Sequence, residues 1–183
     1  MLKKVLLGLG AILLIFIIWV VYGLFIATPA SPPDTAEYSR NGLDITIDYS
    51  RPYKRDRTIF GEESEGALQP YGQYWRLGAN EATEITFNAD VQFGGEKVAA
   101  GTYRMYAVPG KDAFQVTLNT EIDVFFGVAE PDPSLDLVTV SAPVTMQTNP
   151  TEQFTILINN AGGSAKIDFI WDKVMFTVPV FLR

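Results

Sequence analysis

The chain has 183 residues, with 14 Lys plus Arg against 21 Asp plus Glu; 48% of it is apolar and 13% aromatic, and it contains neither His nor Cys. Thiol nucleophiles, disulfides, thiolate or imidazole metal sites and His general bases are therefore excluded, and with them most familiar hydrolase and redox mechanisms, so no cofactor or metal is expected. Carboxylates, Lys, Tyr, Ser and Thr remain for chemistry, and the length suits one domain with an appendage.

Charge is unevenly placed. Residues 1–27 hold Lys3 and Lys4 and no acid, which leaves 12 basic against 21 acidic residues beyond them, a formal charge of −9. An acidic domain without a basic, aromatic-interleaved stripe repels phosphate backbones, so nucleic-acid binding is set aside.

Val5 to Ala27 is a run of 23 uncharged residues, VLLGLGAILLIFIIWVVYGLFIA. As a helix it would be about 35 Å long, enough to cross a hydrocarbon layer of about 30 Å. A cleaved secretory signal is the competing reading, given Lys3 and Lys4, but its apolar stretch would be shorter, at about 7 to 15 residues. The sequence therefore predicts an uncleaved transmembrane anchor over residues 1–27, in contact with the bilayer through residues 5–27. Trp19 and Tyr22 belong at the membrane interface. Lysines before the run and none directly after it put the N-terminus in the cytoplasm. The following domain is then on the periplasmic face of a bacterial inner membrane. Residues 28–37, which include TPASPPDTA, form a Pro-rich linker, read as an extended spacer of about 25 Å.

From residue 38 to 183 the dominant period is two. Leu43, Ile45, Ile47 and Tyr49 alternate with Asp44, Thr46 and Asp48, and Ile85, Phe87 and Ala89 alternate with polar neighbours. Gly94-Gly95 marks a hairpin between Val91 and Val98. Further strands are expected over 102–108, 114–119, 135–140, 154–159, 165–171 and 174–180, with Pro179 placing the last on an edge or at its end. No helical periodicity bounded by caps occurs after residue 37. The fold class is all-β: an antiparallel β-sandwich, jelly-roll-like, of about eight or nine strands, preceded by a single transmembrane helix.

One segment, Ser50 to Thr83, does not alternate, and connections of that length are usually functional or packed as plugs. It carries Arg51, Arg55, Arg57 and Arg76 among Tyr53, Phe60, Tyr71, Tyr74 and Trp75. A ligand reading makes Trp75 and the tyrosines a stacking platform, with Arg57, Tyr71, Trp75, Arg76, Asn80 and Glu81 binding a glycan or another small polar molecule. A structural reading forks the arginines onto loop carbonyls and Glu81, caps one end of the sandwich with Trp75 and uses Gly72 and Gly78 for turns. The structural reading is favoured, because a long loop in a small domain must satisfy its backbone polar groups.

The strings YSRP (Tyr49 to Pro52), RTIFG (Arg57 to Gly61), YGQYWRLGANEAT (Tyr71 to Thr83) and AGTY (Ala100 to Tyr103), followed by Pro109 and Trp171, are together distinctive. They resemble the bacterial domain-of-unknown-function family 2911 from about Ser31 to the C-terminus. The resemblance implies an exported domain and supplies no activity. Many members resemble secreted proteins with a short cleaved signal; the long apolar run departs from that.

Other candidates are weaker. Glu81 and Glu84 make a conceivable glycosidase pair, although carboxylates entering a strand are usually solvated. Glu130, Asp132 and Asp136 flank two prolines without the calcium-loop pattern, so a solvated acidic turn is expected. Phe125-Phe126 is buried by default, or part of a partner patch if one ring faces out. The leading function is a non-enzymatic accessory or structural subunit docked on a larger membrane-protein complex, such as a respiratory or photosynthetic assembly. The alternatives are a tethered binding module using the Trp75 loop and a carboxylate-based hydrolase.

Overall fold

The computed structural model describes residues 2–25, 30–124 and 127–183. The chain divides into two units, Met1–Ala30 and Ser31–Arg183.

The first unit is the helix α1 (Leu2–Phe25). Its branched apolar side chains tolerate the helix because nothing polar competes for the backbone and no proline interrupts it. Leu9, Ile12, Phe16, Trp19 and Tyr22 are all exposed. A methyl group added at Gly8, Gly10 or Gly23 would meet nothing within 4 Å. Among the described residues no helix is long and apolar enough to cross a membrane; the side chains described without interruption run from Gly8 to Gly23. The expected span is thus met by a helix, without being shown to be a span.

The second unit contains β1 (Pro33–Arg40), β2 (Leu43–Ser50), β3 (Phe60–Gly61), β4 (Gln69–Pro70), β5 (Thr83–Phe87), β6 (Val91–Phe93), β7 (Glu96–Val98), β8 (Gly101–Val108), β9 (Ala113–Asn119), β10 (Asp136–Ala161) and β11 (Ser164–Leu182). Nine of them form one sheet in the order β1-β2-β5-β8-β9-β10-β11-β6-β7. Every pairing in that sheet is antiparallel. The long strand β10 folds the sheet over: up to Pro143 it pairs with β9, and from Val144 onward with β11. Ile45, Ile47, Ile85, Met105 and Leu118 from one half and Ile156, Ile167, Phe169, Phe176 and Val180 from the other meet in one core. The result is sandwich-like. Its run of sequential hairpins from β8 to β11 differs from the two Greek keys of the expected jelly roll, because β10 carries the ladder from one half to the other without a break in the sheet.

Three expectations are corrected. Strand β1 begins at Pro33, inside the stretch read as linker, and pairs from Pro33↔Ser50 to Arg40↔Leu43. Pro33 opens an edge strand, where a missing N–H costs nothing, so a proline-rich start does not prevent pairing. The separate strands expected over 135–140 and 154–159 are the two ends of β10, and those over 165–171 and 174–180 lie within β11. Finally, β11 runs past Pro179 to Leu182; Pro179 stands opposite Gly94 where the β6 ladder ends, and its carbonyl still accepts the Gly94 N–H at 2.8 Å although the ring has no N–H to return the bond. Ala27 and Phe125-Phe126 lie outside the described residues.

Candidate functional site

The loop from Ser50 to Thr83 enters the core. Trp75 exchanges both backbone hydrogen bonds with Ala107, each at 2.8 Å, taking up the edge of β8 beyond the point where β5 stops. This puts its indole, 2% exposed, at the centre of an aromatic cluster. Its ring centroid lies 5.9 Å from Trp171, 5.2 Å from Phe60 and 5.0 Å from Phe154. No ligand can stack on a ring so enclosed, and Trp75 serves as the plug of the sandwich. Among the described residues neither Trp75 Nε1 nor Trp171 Nε1 meets an acceptor. The apolar area buried by two indoles outweighs that cost, since two orphaned donors forfeit about 1–3 kcal/mol each.

The other expected binding residues are not gathered around it. Arg76 Nη1 donates to Asn80 O at 3.2 Å, and Asn80 Nδ2 donates to Ser31 O at 3.1 Å, tying the turn to the start of β1. Arg57 is exposed and donates to the carbonyls of Lys54 and Tyr53. Tyr71 lies elsewhere, in a small cavity with Phe60, Phe114, Lys111 and Lys173. Glu81 is exposed in a third place, beside Asp48, Glu84 and Asp123, where Glu84 Oε1 accepts the Asp123 N–H at 2.9 Å. Arg51 follows the same pattern: it pairs with Asp34 at 3.1 Å and donates to Phe154 O and Thr155 Oγ1. These arginines bond to carbonyls of the loop and its neighbours, as the favoured structural reading expected; that reading is corrected in two parts, since among the described residues Glu81 pairs with none of them and Trp75 fills the centre of the core instead of capping one end. Gly78 shows why the tight block needs glycine: at φ 155° a Cβ would sit 2.7 Å from Ser50 O.

The loop also presents Tyr74, which is half-buried. With Gly72, Gln73, Tyr106, Val108, Glu130, Pro131 and Pro133 it lines a cleft of about 400 Å³. The two tyrosine rings stand 5.4 Å apart at 54°. Both hydroxyls are tied down. Tyr74 Oη accepts from Arg104 Nη2 at 2.8 Å and donates to Gly127 O at 3.2 Å. Tyr106 Oη donates to Asp136 Oδ2 at 2.8 Å, and Asp136 Oδ1 accepts from Asn119 Nδ2 at 2.8 Å. Burial, and then the bond to Asp136, push the Tyr106 hydroxyl up to about 12. Arg104, 1% exposed on β8, holds the cleft from behind: it pairs with Glu121 at 2.8 Å, donates to Ala129 O at 2.6 Å, and lies 5.9 Å from the Tyr74 ring centroid. Asp132, in the acidic turn, accepts the Ser134 N–H at 2.9 Å, which lowers its pKa.

Sequence reasoning missed Arg104, Tyr106 and the role of Tyr74. The available signal was an Arg between Tyr103 and Met105 in a strand whose neighbours are buried on both sides. Among the described residues no group of three or more Asp or Glu is placed to hold a metal ion.

The profile of the family described as "Protein of unknown function (DUF2911)" matches residues 31–180. The chain belongs to this DUF2911 family. The match coincides with the second unit and leaves α1 outside it. The DUF2911 block from Tyr71 to Thr83 includes both Trp75, which plugs the core, and Tyr74, which lines the cleft. No curated protein and no solved structure matches the chain.

Proposed function

We propose that the protein is a membrane-anchored, non-enzymatic accessory subunit: α1 sits in the bilayer, with the N-terminus cytoplasmic, and the β-domain docks on the periplasmic side of a larger membrane-protein complex. The observation that carries this reading is α1 itself. It is a 24-residue helix whose large apolar side chains from Leu9 to Tyr22, Val20 excepted, are exposed. In water such a surface forfeits about 25 cal/mol per Å² of apolar area, so the helix calls for an apolar environment supplied by lipid or by other helices. In the sequence the uncharged run is 23 residues long, from Val5 to Ala27, and Lys3 and Lys4 suit the cytoplasmic side.

The β-domain supports an accessory role through how its polar residues are used. The arginines of the long loop bond to carbonyls, and Arg104 is bound into the protein by Glu121, Tyr74 and Ala129. With no His or Cys in the chain, the groups most often used for proton transfer and nucleophilic attack are missing.

Purification from native membranes in mild detergent tests the proposal. The protein is expected to co-migrate in stoichiometric amount with a large complex; recovery solely as a free monomer would contradict it.

A further inference from the structure

The cleft over Tyr74 and Tyr106 lies apart from any docking role of α1. We infer that it is a binding site for a small organic cation bearing an alkylammonium head.

Its shape is suitable. Two tyrosine rings at 54° form a corner, and a rounded ammonium group seated in such a corner meets both π systems. Pro131, Pro133 and Val108 supply apolar wall for the methyl or methylene groups around the charge, and about 400 Å³ accommodates a small molecule. The corner is also rigid before any ligand arrives. Arg104 and Gly127 hold the Tyr74 hydroxyl and Asp136 holds that of Tyr106, so little conformational freedom remains to be lost on binding.

Its electrostatics select the sign. Glu130 lines the cleft, and among the described residues no Lys or Arg does. Arg104, the cation near it, is buried and neutralised by Glu121 at 2.8 Å. By accepting a hydrogen bond from the Tyr106 hydroxyl, the Asp136 carboxylate pushes electron density toward the ring and strengthens its attraction for a cation. The net acidic domain adds a field of the same sign, which disfavours an anion.

Choline provides the test, with 3,3-dimethylbutan-1-ol as its uncharged isostere, each titrated into the full chain held in a maltoside detergent that carries no ammonium group. Saturable choline binding is expected, with the isostere weaker by about tenfold, the ratio that follows from a cation–π interaction of roughly 1–2 kcal/mol. Glu130→Gln, a change at an exposed position, is expected to weaken choline at least fivefold, and Tyr106→Leu to do the same where its near-ultraviolet circular dichroism shows the fold retained. An absence of saturable choline binding, equal binding of the isostere, or choline binding unchanged by Glu130→Gln would each overturn the inference.

Discussion

The indole of Trp75, delivered by a loop, stacks on that of Trp171 in β11, with ring centroids 5.9 Å apart and planes at 23°. A segment with no regular periodicity thereby supplies the centre of the core, and the two halves of the folded sheet close around it.

Trp75→Ala should therefore act as a core mutation, destabilising the domain by about 3–5 kcal/mol in urea unfolding of the full chain. Trp171→Ala should cost a similar amount. The double mutant should lose less than the sum, because each indole contacts the other and both contact Phe60 and Phe154. Additive losses would show that the stack is not a unit.

Arg104 is buried and each of its partners depends on it. Replacing it with Leu leaves Ala129 O and the Tyr74 hydroxyl without their donor and unpairs Glu121, so a loss of about 3 kcal/mol is expected. Glu121→Gln should cost less, about 1 kcal/mol, because that side chain is 38% exposed and water can replace it. Hydrogen exchange should report where the damage falls: Arg104→Leu should speed exchange around residues 127–136 before it affects β2 or β5.

Stability should fall at alkaline pH. Burial raises the pKa values of Tyr49, Tyr103 and Tyr106 above the ordinary 10.0, the last to about 12. The folded state therefore keeps its phenolic protons after the unfolded chain has begun to release them. The stabilisation from these protons is complete below pH 10 and is lost as pH rises from about 10 toward 12. Denaturant unfolding across that window, with tyrosinate absorbance followed in parallel, measures this directly. Tyr106→Phe should flatten the slope.

Gly78→Ala should be among the most damaging small substitutions, since the new Cβ would lie 2.7 Å from the Ser50 carbonyl oxygen at a φ of 155°. A loss of about 2 kcal/mol or more is expected from backbone strain and displacement of the Leu77–Thr83 turn. Gly42→Ala, also at a positive φ but with open space around the new Cβ, should cost less.

Much of the fold was legible where burial is one-sided. Leu43, Ile45, Ile47 and Tyr49 alternate in sequence and are all buried in β2, and the Gly94-Gly95 hairpin lies between β6 and β7. Where both faces of a strand are covered, or where a strand bends from one half of the sheet to the other, the alternation breaks. That is why β10 reads in sequence as separate pieces on either side of Pro143 and the irregular ladder from Met146 to Thr155, and β11 as two strands around Asp172. Strand β1 was hidden by its prolines. The cleft was the least legible part. Tyr74, Tyr106 and Glu130 come from the long loop, β8 and the acidic turn, and only tertiary structure brings them together.

The central claim, that α1 holds the protein at a bilayer, is most directly tested by washing native membranes with alkaline carbonate and following the chain. The account predicts that it remains with the membrane pellet at the mass of the full sequence. Release into the supernatant, or a mature chain beginning near Ser31, would contradict it.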